Sequence, residues 1–166
     1  MKKILCSLLL LAGMMAMVCS CDEFNGGDDP AGSIYGYWKL DKLTIEASTS
    51  VIGNGNLNTS AIDFTNTPCY LFLGEDLMAS GRMGLDLELS GYSYDAKQQA
   101  IRFNRSISVS NDGKAMVLVG TYEITELTLN TLVLRQPDFN IDIPGLFSSH
   151  QTAIYAFHRV ANDQGQ

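Results

Sequence analysis

Four cysteines and two histidines carry most of the chemistry that this chain could perform. Cys19 and Cys21 stand two apart in Met17-Val18-Cys19-Ser20-Cys21-Asp22-Glu23, at the end of an apolar run and just before acid. Such a pair could ligate a metal, cycle as a redox couple or mark a processing site. A metal would need further ligands, and only Cys69, His150 and His158 lie downstream. No metal and no cofactor is therefore expected. His150 follows Ser148 and Ser149 in what reads as a loop, but a nucleophile needs an oriented base, not closeness in sequence. His158 falls in a strand-like segment and is expected to be hydrogen-bonded in place. Glu75-Asp76 flank a turn, and Asp28-Asp29 belong to a spacer too short of oxygen ligands for calcium. There is no G-x-S-x-G elbow, phosphate-binding glycine loop or H-E-x-x-H. No catalytic residue is assigned, and the chain reads as non-enzymatic.

Processing fits the flanks of the cysteine pair best. Lys2 and Lys3 precede an uncharged run from Ile4 to Met17. That run is shorter than the ~20 residues of a membrane span and describes a secretory signal. Val18-Cys19-Ser20-Cys21 resembles the lipobox of bacterial lipoproteins, an aliphatic residue and two small ones before the cysteine. The resemblance implies cleavage after Ser20, acyl chains on Cys21 and an outer-membrane lipoprotein facing the periplasm or the cell surface. Asp22 and Glu23 resemble the acidic signal with which some Gram-negative lipoproteins reach the surface; a plain solvated spacer is the alternative. With Cys6 and Cys19 removed and Cys21 acylated, Cys69 is left without a disulfide partner and is expected to be a small buried hydrophobe. Loss of Lys2 and Lys3 takes the formal charge from −7 to −9, which disfavours nucleic acid as a partner.

Four segments follow: residues 1–20 as signal peptide, 21–32 as flexible tether, 33–160 as one domain and 161–166 as a disordered tail. The tether, Asp22-Glu23-Phe24-Asn25-Gly26-Gly27-Asp28-Asp29-Pro30-Ala31-Gly32, has no periodicity. From Tyr35 onward the chain reads as strands. Between Leu77 and Leu89 the odd positions are apolar, with a bend or hairpin at Gly81 or Gly84. Ile101, Phe103, Arg105, Ile107 and Val109 alternate with polar residues, so Arg105 interrupts an apolar face. Inside a barrel it would need a counter-charge, a ligand carboxylate or the open rim. Turns are expected at Asp95-Ala96-Lys97, Asn111-Asp112-Gly113-Lys114 and Leu129-Asn130-Thr131. Val51 to Pro68 reads as a long polar loop, and Pro144 to Ser149 as a short helical turn. About eight strands with short turns predict an all-β sandwich or up-and-down barrel. Trp38 and Leu40 share one parity and Leu43 and Ile45 the other, which predicts a bulge at Asp41-Lys42.

Gly36-Tyr37-Trp38 resembles the G-x-W motif that opens lipocalins, and Phe157-His158-Arg159-Val160 resembles the end of such barrels. The whole pattern is similar to small lipocalin-like lipoproteins of Gram-negative bacteria. The T-D-Y motif is missing; Gly120-Thr121-Tyr122-Glu123 is the nearest match. The resemblance implies an eight-stranded antiparallel barrel closed by Gly36, Trp38 and Arg159, with the arginine laid on the indole. Strand order alone also permits that contact. Two functions are open. One is the binding of a small apolar or amphipathic ligand, with Arg105, Tyr92, Tyr94, Phe103 and Tyr122 as candidates. The other is a filled barrel meeting a protein or glycan through its loops or outer face.

Overall fold

Period-two alternation carries through into ten antiparallel strands. The computed structural model describes residues 32–51, 54–136, 139–143 and 147–161. The strands are β1 (Gly36–Val51), β2 (Asn54–Asp63), β3 (Cys69–Leu73), β4 (Met78–Met83), β5 (Asp86–Asp95), β6 (Ala100–Asn111), β7 (Lys114–Leu127), β8 (Thr131–Arg135), β9 (Phe139–Ile143) and β10 (Phe147–Val160). Eight of them, β1-β3-β4-β5-β6-β7-β8-β10, follow one another in an up-and-down ring. β10 pairs back onto β1 and closes it. Closure removes the open edge that a sheet would otherwise present.

β2 and β9 lie outside this ring. The first residues of β1, Gly36–Lys39, pair with β3, whereas Lys42–Val51 run past the ring and pair with β2. β10 does the same at its other end: Phe147–Gln151 pair with β9 and Ile154–His158 with β8. The result is a four-stranded tongue, β2-β1-β10-β9, projecting from one end of the barrel. It corrects three expectations. Most of the segment read as a loop between Val51 and Pro68 is strand β2. Its residues 58–61 are exposed, so cross-strand pairing, not burial of an apolar face, holds it extended, and no alternation betrays it. Phe147 to Ser149 open β10 instead of forming a helical turn, and His150 sits in that strand, opposite Ser48. Residues 144–146 lie outside the described residues.

The expected bulge is present: the β1–β10 register slips between Leu40 and Lys42. It lets Leu40 and Leu43, three apart, both face inward, at 0% and 6% exposure. The turns also fall as read. Asp112 (φ 51°) and Gly113 (φ 76°) make the two-residue connection of β6 to β7 with the left-handed pair that hairpins favour.

The barrel is filled by its own side chains. Trp38, Tyr122, Phe64 and Phe157 are the largest fully buried ones. Phe64 enters from the β2–β3 connection and plugs the tongue end. Lys114 Nζ lies over its ring, 5.4 Å from the centroid, and donates to Asp63 O and Thr67 Oγ1. Ile34 and Trp38 fill the opposite end. Packing inside is tight enough that a Cβ at Gly81 would overlap the Ile107 side chain.

One stretch departs from its expected facing. Ala79, Gly81 and Met83 are buried as the alternation predicts. The chain then turns through Gly84-Leu85, Gly84 at φ 58°, and Asp86 pairs with Met83. A two-residue turn puts residues i and i+3 on the same face, so the inner parity passes to Asp86, Glu88 and Ser90. Leu85, Leu87 and Leu89 are therefore exposed, by 103%, 59% and 59%.

Candidate functional site

The closing set is assembled as expected. Trp38 and Arg159 are register partners on β1 and β10, and the guanidinium carbon lies 4.1 Å from the indole centroid. Arg159 also donates to three backbone carbonyls: Leu129 O at 2.7 Å, Tyr35 O at 2.6 Å, and Ser33 O. Trp38 Nε1 donates to Ile34 O at 2.8 Å. Gly36 adopts φ 130°, and a Cβ there would stand 2.6 Å from Arg159 Nη1, so both conformation and space require glycine. These residues tie the incoming chain, the β7–β8 turn and both closing strands into one knot.

The residues read as ligand candidates do not share one open cavity. Tyr92, Phe103 and Tyr122 are core residues at 2%, 2% and 0% exposure. Tyr92 donates its hydroxyl to Gly74 O at 2.7 Å. Phe103 meets Tyr122 edge-on at 5.9 Å between centroids, and Tyr122 meets Tyr155 in the same way at 5.9 Å. Burial raises the hydroxyls of Tyr92, Tyr122 and Tyr155 above the usual phenol value, and well above it for Tyr92 and Tyr155. Tyr94 is half-buried on the flank of the core and lines a shallow groove of about 340 Å³ with Gln98 and Arg102. Another open groove, about 460 Å³, lies beside Gly36 between Tyr35, Phe72, Glu75 and Asp76.

Arg105 is exposed, which corrects its inward reading. Between Phe103 and Ile107 the β6–β7 register slips: four steps along β6 match two along β7, from Gly120 to Leu118. The extra residues bulge outward and carry Arg105 off the inner face. Ser90, buried at 2%, holds this bulge. Its Oγ accepts from Arg105 N at 3.0 Å and lies within donating distance of Arg105 O (2.9 Å) and Gly91 O (2.8 Å). Ser90→Ala is expected to lower stability by about 1–2 kcal/mol, because it leaves part-buried backbone groups of the bulge without their partner. Arg105→Ala, which removes only an exposed side chain, should stay within about 0.5 kcal/mol of the parent. Urea denaturation of the two variants side by side tests this, and equal midpoints would refute it.

Cys69 is fully buried, its Sγ 3.8 Å from Met116 Sδ, and burial pushes its thiol up to about 12. A thiol held protonated in an apolar core is a poor nucleophile. His158 Nδ1 lies 2.8 Å from both carboxylate oxygens of Asp41, the bulge residue, on the outer wall of the barrel. This part-exposed pair anchors the bulge, and no nucleophile among the described residues is hydrogen-bonded to the ring. No cluster of three or more His, Cys, Asp or Glu able to hold a metal occurs among the described residues. Cys21 lies outside the described residues.

What the residue pattern did not reveal is on the outside. Leu87 and Leu89 face outward from β5, with Leu85 at the turn and Leu77 and Met78 nearby, both over 40% exposed. The two-residue spacing between Met83 and Asp86 was the available signal for this. Comparison with family models, with curated proteins and with solved structures returned no match to this chain.

Proposed function

We propose that this protein is a membrane-anchored, non-enzymatic binding lipoprotein that meets its partner on the outer wall of a filled barrel. One observation carries the reading: the aromatic residues suited to an interior ligand occupy the interior themselves, while the largest run of exposed apolar residues among the described residues, Leu85, Leu87 and Leu89, lies outside. An interior ligand would have to displace Phe103, Tyr122 and Tyr155 from mutual contact and break hydroxyl bonds to backbone carbonyls. Contiguous exposed apolar residues are the usual mark of an interaction site. In this reading Cys21 carries the lipid. Gly32, at the end of the tether, packs against Thr128 and Leu129 at the end closed by Trp38 and Arg159. The hairpin tip at Leu85 lies at the opposite end, directed away from the anchor. The Trp38–Arg159 contact supports the likeness to lipocalin-like lipoproteins at the positions that suggested it.

The test is made on the full chain in cells. A photo-crosslinking residue at position 89 is expected to give an adduct of discrete mass, and the same residue at the exposed position 97, in the β5–β6 turn, is expected to give none. Native mass spectrometry of the detergent-extracted protein should show no small apolar molecule in stoichiometric amount. Co-purification of such a molecule, with a shift in the emission of Trp38, the single tryptophan, on its removal, would return the function to the interior.

A further inference from the structure

The edge of β5 that faces β6 is only partly used. The β5–β6 ladder covers Tyr92–Asp95 against Ala100–Phe103 and ends there. Asp86–Gly91 are paired with β4 on the other side. Tyr92 N donates to Leu77 O, and alternate residues of an antiparallel strand turn their backbone groups to the same neighbour. Ser90, Glu88 and Asp86 therefore face β4, and Leu87 and Leu89 present their N–H and C=O to the edge with no ladder partner among the described residues. Side chains span the seam instead: Ser90 Oγ reaches the Arg105 backbone, and Asp86 Oδ2 accepts from Ser110 N at 3.1 Å. Ile107 of β6 packs against Gly81 of β4, one strand beyond β5. At this level β6 is held to the β4–β5 ribbon by side chains, with Asn104 beside Gly91, while Leu87 and Leu89, each 59% exposed, keep their edge-facing backbone groups outside the ladder.

We infer that this edge takes a partner strand: an extended peptide segment whose residues alternate apolar and basic. The inference rests on the outer-wall reading above and adds the chemistry of the partner. A strand laid along Leu87 and Leu89 would gain backbone hydrogen bonds at the edge and pockets for alternate side chains, as in strand addition generally. On its outer face it would meet Leu85, Leu87 and Leu89. On its inner face it would meet the exposed Asp86 and Glu88; Arg82 stands one strand further away, opposite Leu87, and Arg105 sits at the Ser90 end of the seam. Cross-strand neighbours of opposite charge are favourable and like charges are not. That sets the partner's pattern, and it argues against a second copy of this chain. Antiparallel pairing of two β5 edges with Leu87 opposite Leu87 or Leu89 sets Glu88 against Asp86 or Glu88 of the other copy. The lipid surface is disfavoured as occupant because the hairpin tip is directed away from the tethered end.

The test uses the intact protein in detergent and three short synthetic peptides: one alternating valine and lysine, one alternating valine and glutamate, and the valine–lysine peptide N-methylated at every second residue to remove its edge-facing donors. The valine–lysine peptide is expected to bind at low salt and to weaken as salt rises. The glutamate and N-methylated peptides should each bind about tenfold or more weakly. Leu87→Pro removes an edge donor without touching the β4 ladder and should weaken binding to a similar degree; unchanged denaturation midpoint and sedimentation show that this variant is folded. Equal binding of the N-methylated peptide, no binding of the valine–lysine peptide, or self-association abolished by Leu87→Pro would each overturn the inference. A crosslinked adduct at position 89 in cells together with any of these results leaves the outer-wall reading standing and refutes only the strand-like partner. No adduct at all refutes both.

Discussion

Arg159→Ala is expected to lower the stability of the barrel by about 2–4 kcal/mol, a large fraction of what a domain of this size holds. The guanidinium over Trp38 contributes ~0.5–2 kcal/mol. Hydrogen bonds from a charged donor are worth about 1.5–3 kcal/mol each where water is excluded. Arg159 is half-buried, so water can reach some of the carbonyls of Ser33, Tyr35 and Leu129 once the side chain is gone. The sum of separate terms would therefore overstate the loss. Arg159→Lys keeps the charge but not the planar fork that meets three carbonyls at once, and should recover less than half of the difference. Gly36→Ala should approach the alanine variant in effect, because a Cβ would stand 2.6 Å from Arg159 Nη1 on a backbone at φ 130°. Urea denaturation followed by Trp38 emission reads all three. A midpoint for Arg159→Ala within error of the parent would mean that the knot only decorates an end closed by packing.

This knot is legible in the sequence because its parts are written locally: a glycine, a tryptophan two residues on, and an arginine near the end of the last strand. The bulge at Asp41-Lys42 is legible for a similar reason, since a phase slip in one strand shows in the parity of its own residues. The second bulge is not. Phe103 and Ile107 are both odd and both inward, so the sequence of β6 looks regular. Only the count on β7, two steps from Gly120 to Leu118, shows the insertion that turns Arg105 out. The same holds for β2, whose polar residues carry no pattern and which exists because the far half of β1 offers an edge. Information held by the partner strand cannot be read from the strand itself. The leucines of β5 fall between these cases: continuous alternation suggests that Leu87 and Leu89 are inside, and a two-residue turn at Gly84-Leu85 reverses their facing. Placing them outside also moves the candidate site from the interior to the wall.

The buried hydroxyls lead to a second large effect, at high pH. Tyr92, Tyr122 and Tyr155 are each within 5% of full burial. Tyr92 donates to Gly74 O at 2.7 Å and Tyr155 to Val117 O at 2.6 Å; Tyr122 is 3.4 Å from Val117 O and accepts from Val119 N at 3.1 Å. A phenolate cannot donate, and its charge would be stranded in an apolar core. Burial accordingly raises all three hydroxyls above their ordinary value of 10.0, as it raises the Cys69 thiol from 9.0 to about 12. In the unfolded chain these four groups lose their protons near the ordinary values, while the folded chain still holds them. Rising pH therefore favours the unfolded state. The stabilisation is complete below about pH 9 and is lost as the pH climbs past 10 toward the raised folded values. Each group contributes a slope of up to about 1.4 kcal/mol per pH unit between its unfolded and folded values, so the three most strongly raised groups, Tyr92, Tyr155 and Cys69, together approach about 4 kcal/mol per unit. Against a total of about 5–15 kcal/mol, the barrel should unfold in one cooperative step between pH 10 and 12. The loss of β-sheet circular dichroism should coincide with the appearance of buried tyrosinate absorbance. Tyr155→Phe forfeits a hydrogen bond at neutral pH, yet it should make the alkaline slope shallower by about a third. Tyrosinate absorbance growing in full near pH 10, with the β-sheet signal intact past pH 12, would place these hydroxyls in contact with water and remove the physical basis for a filled barrel.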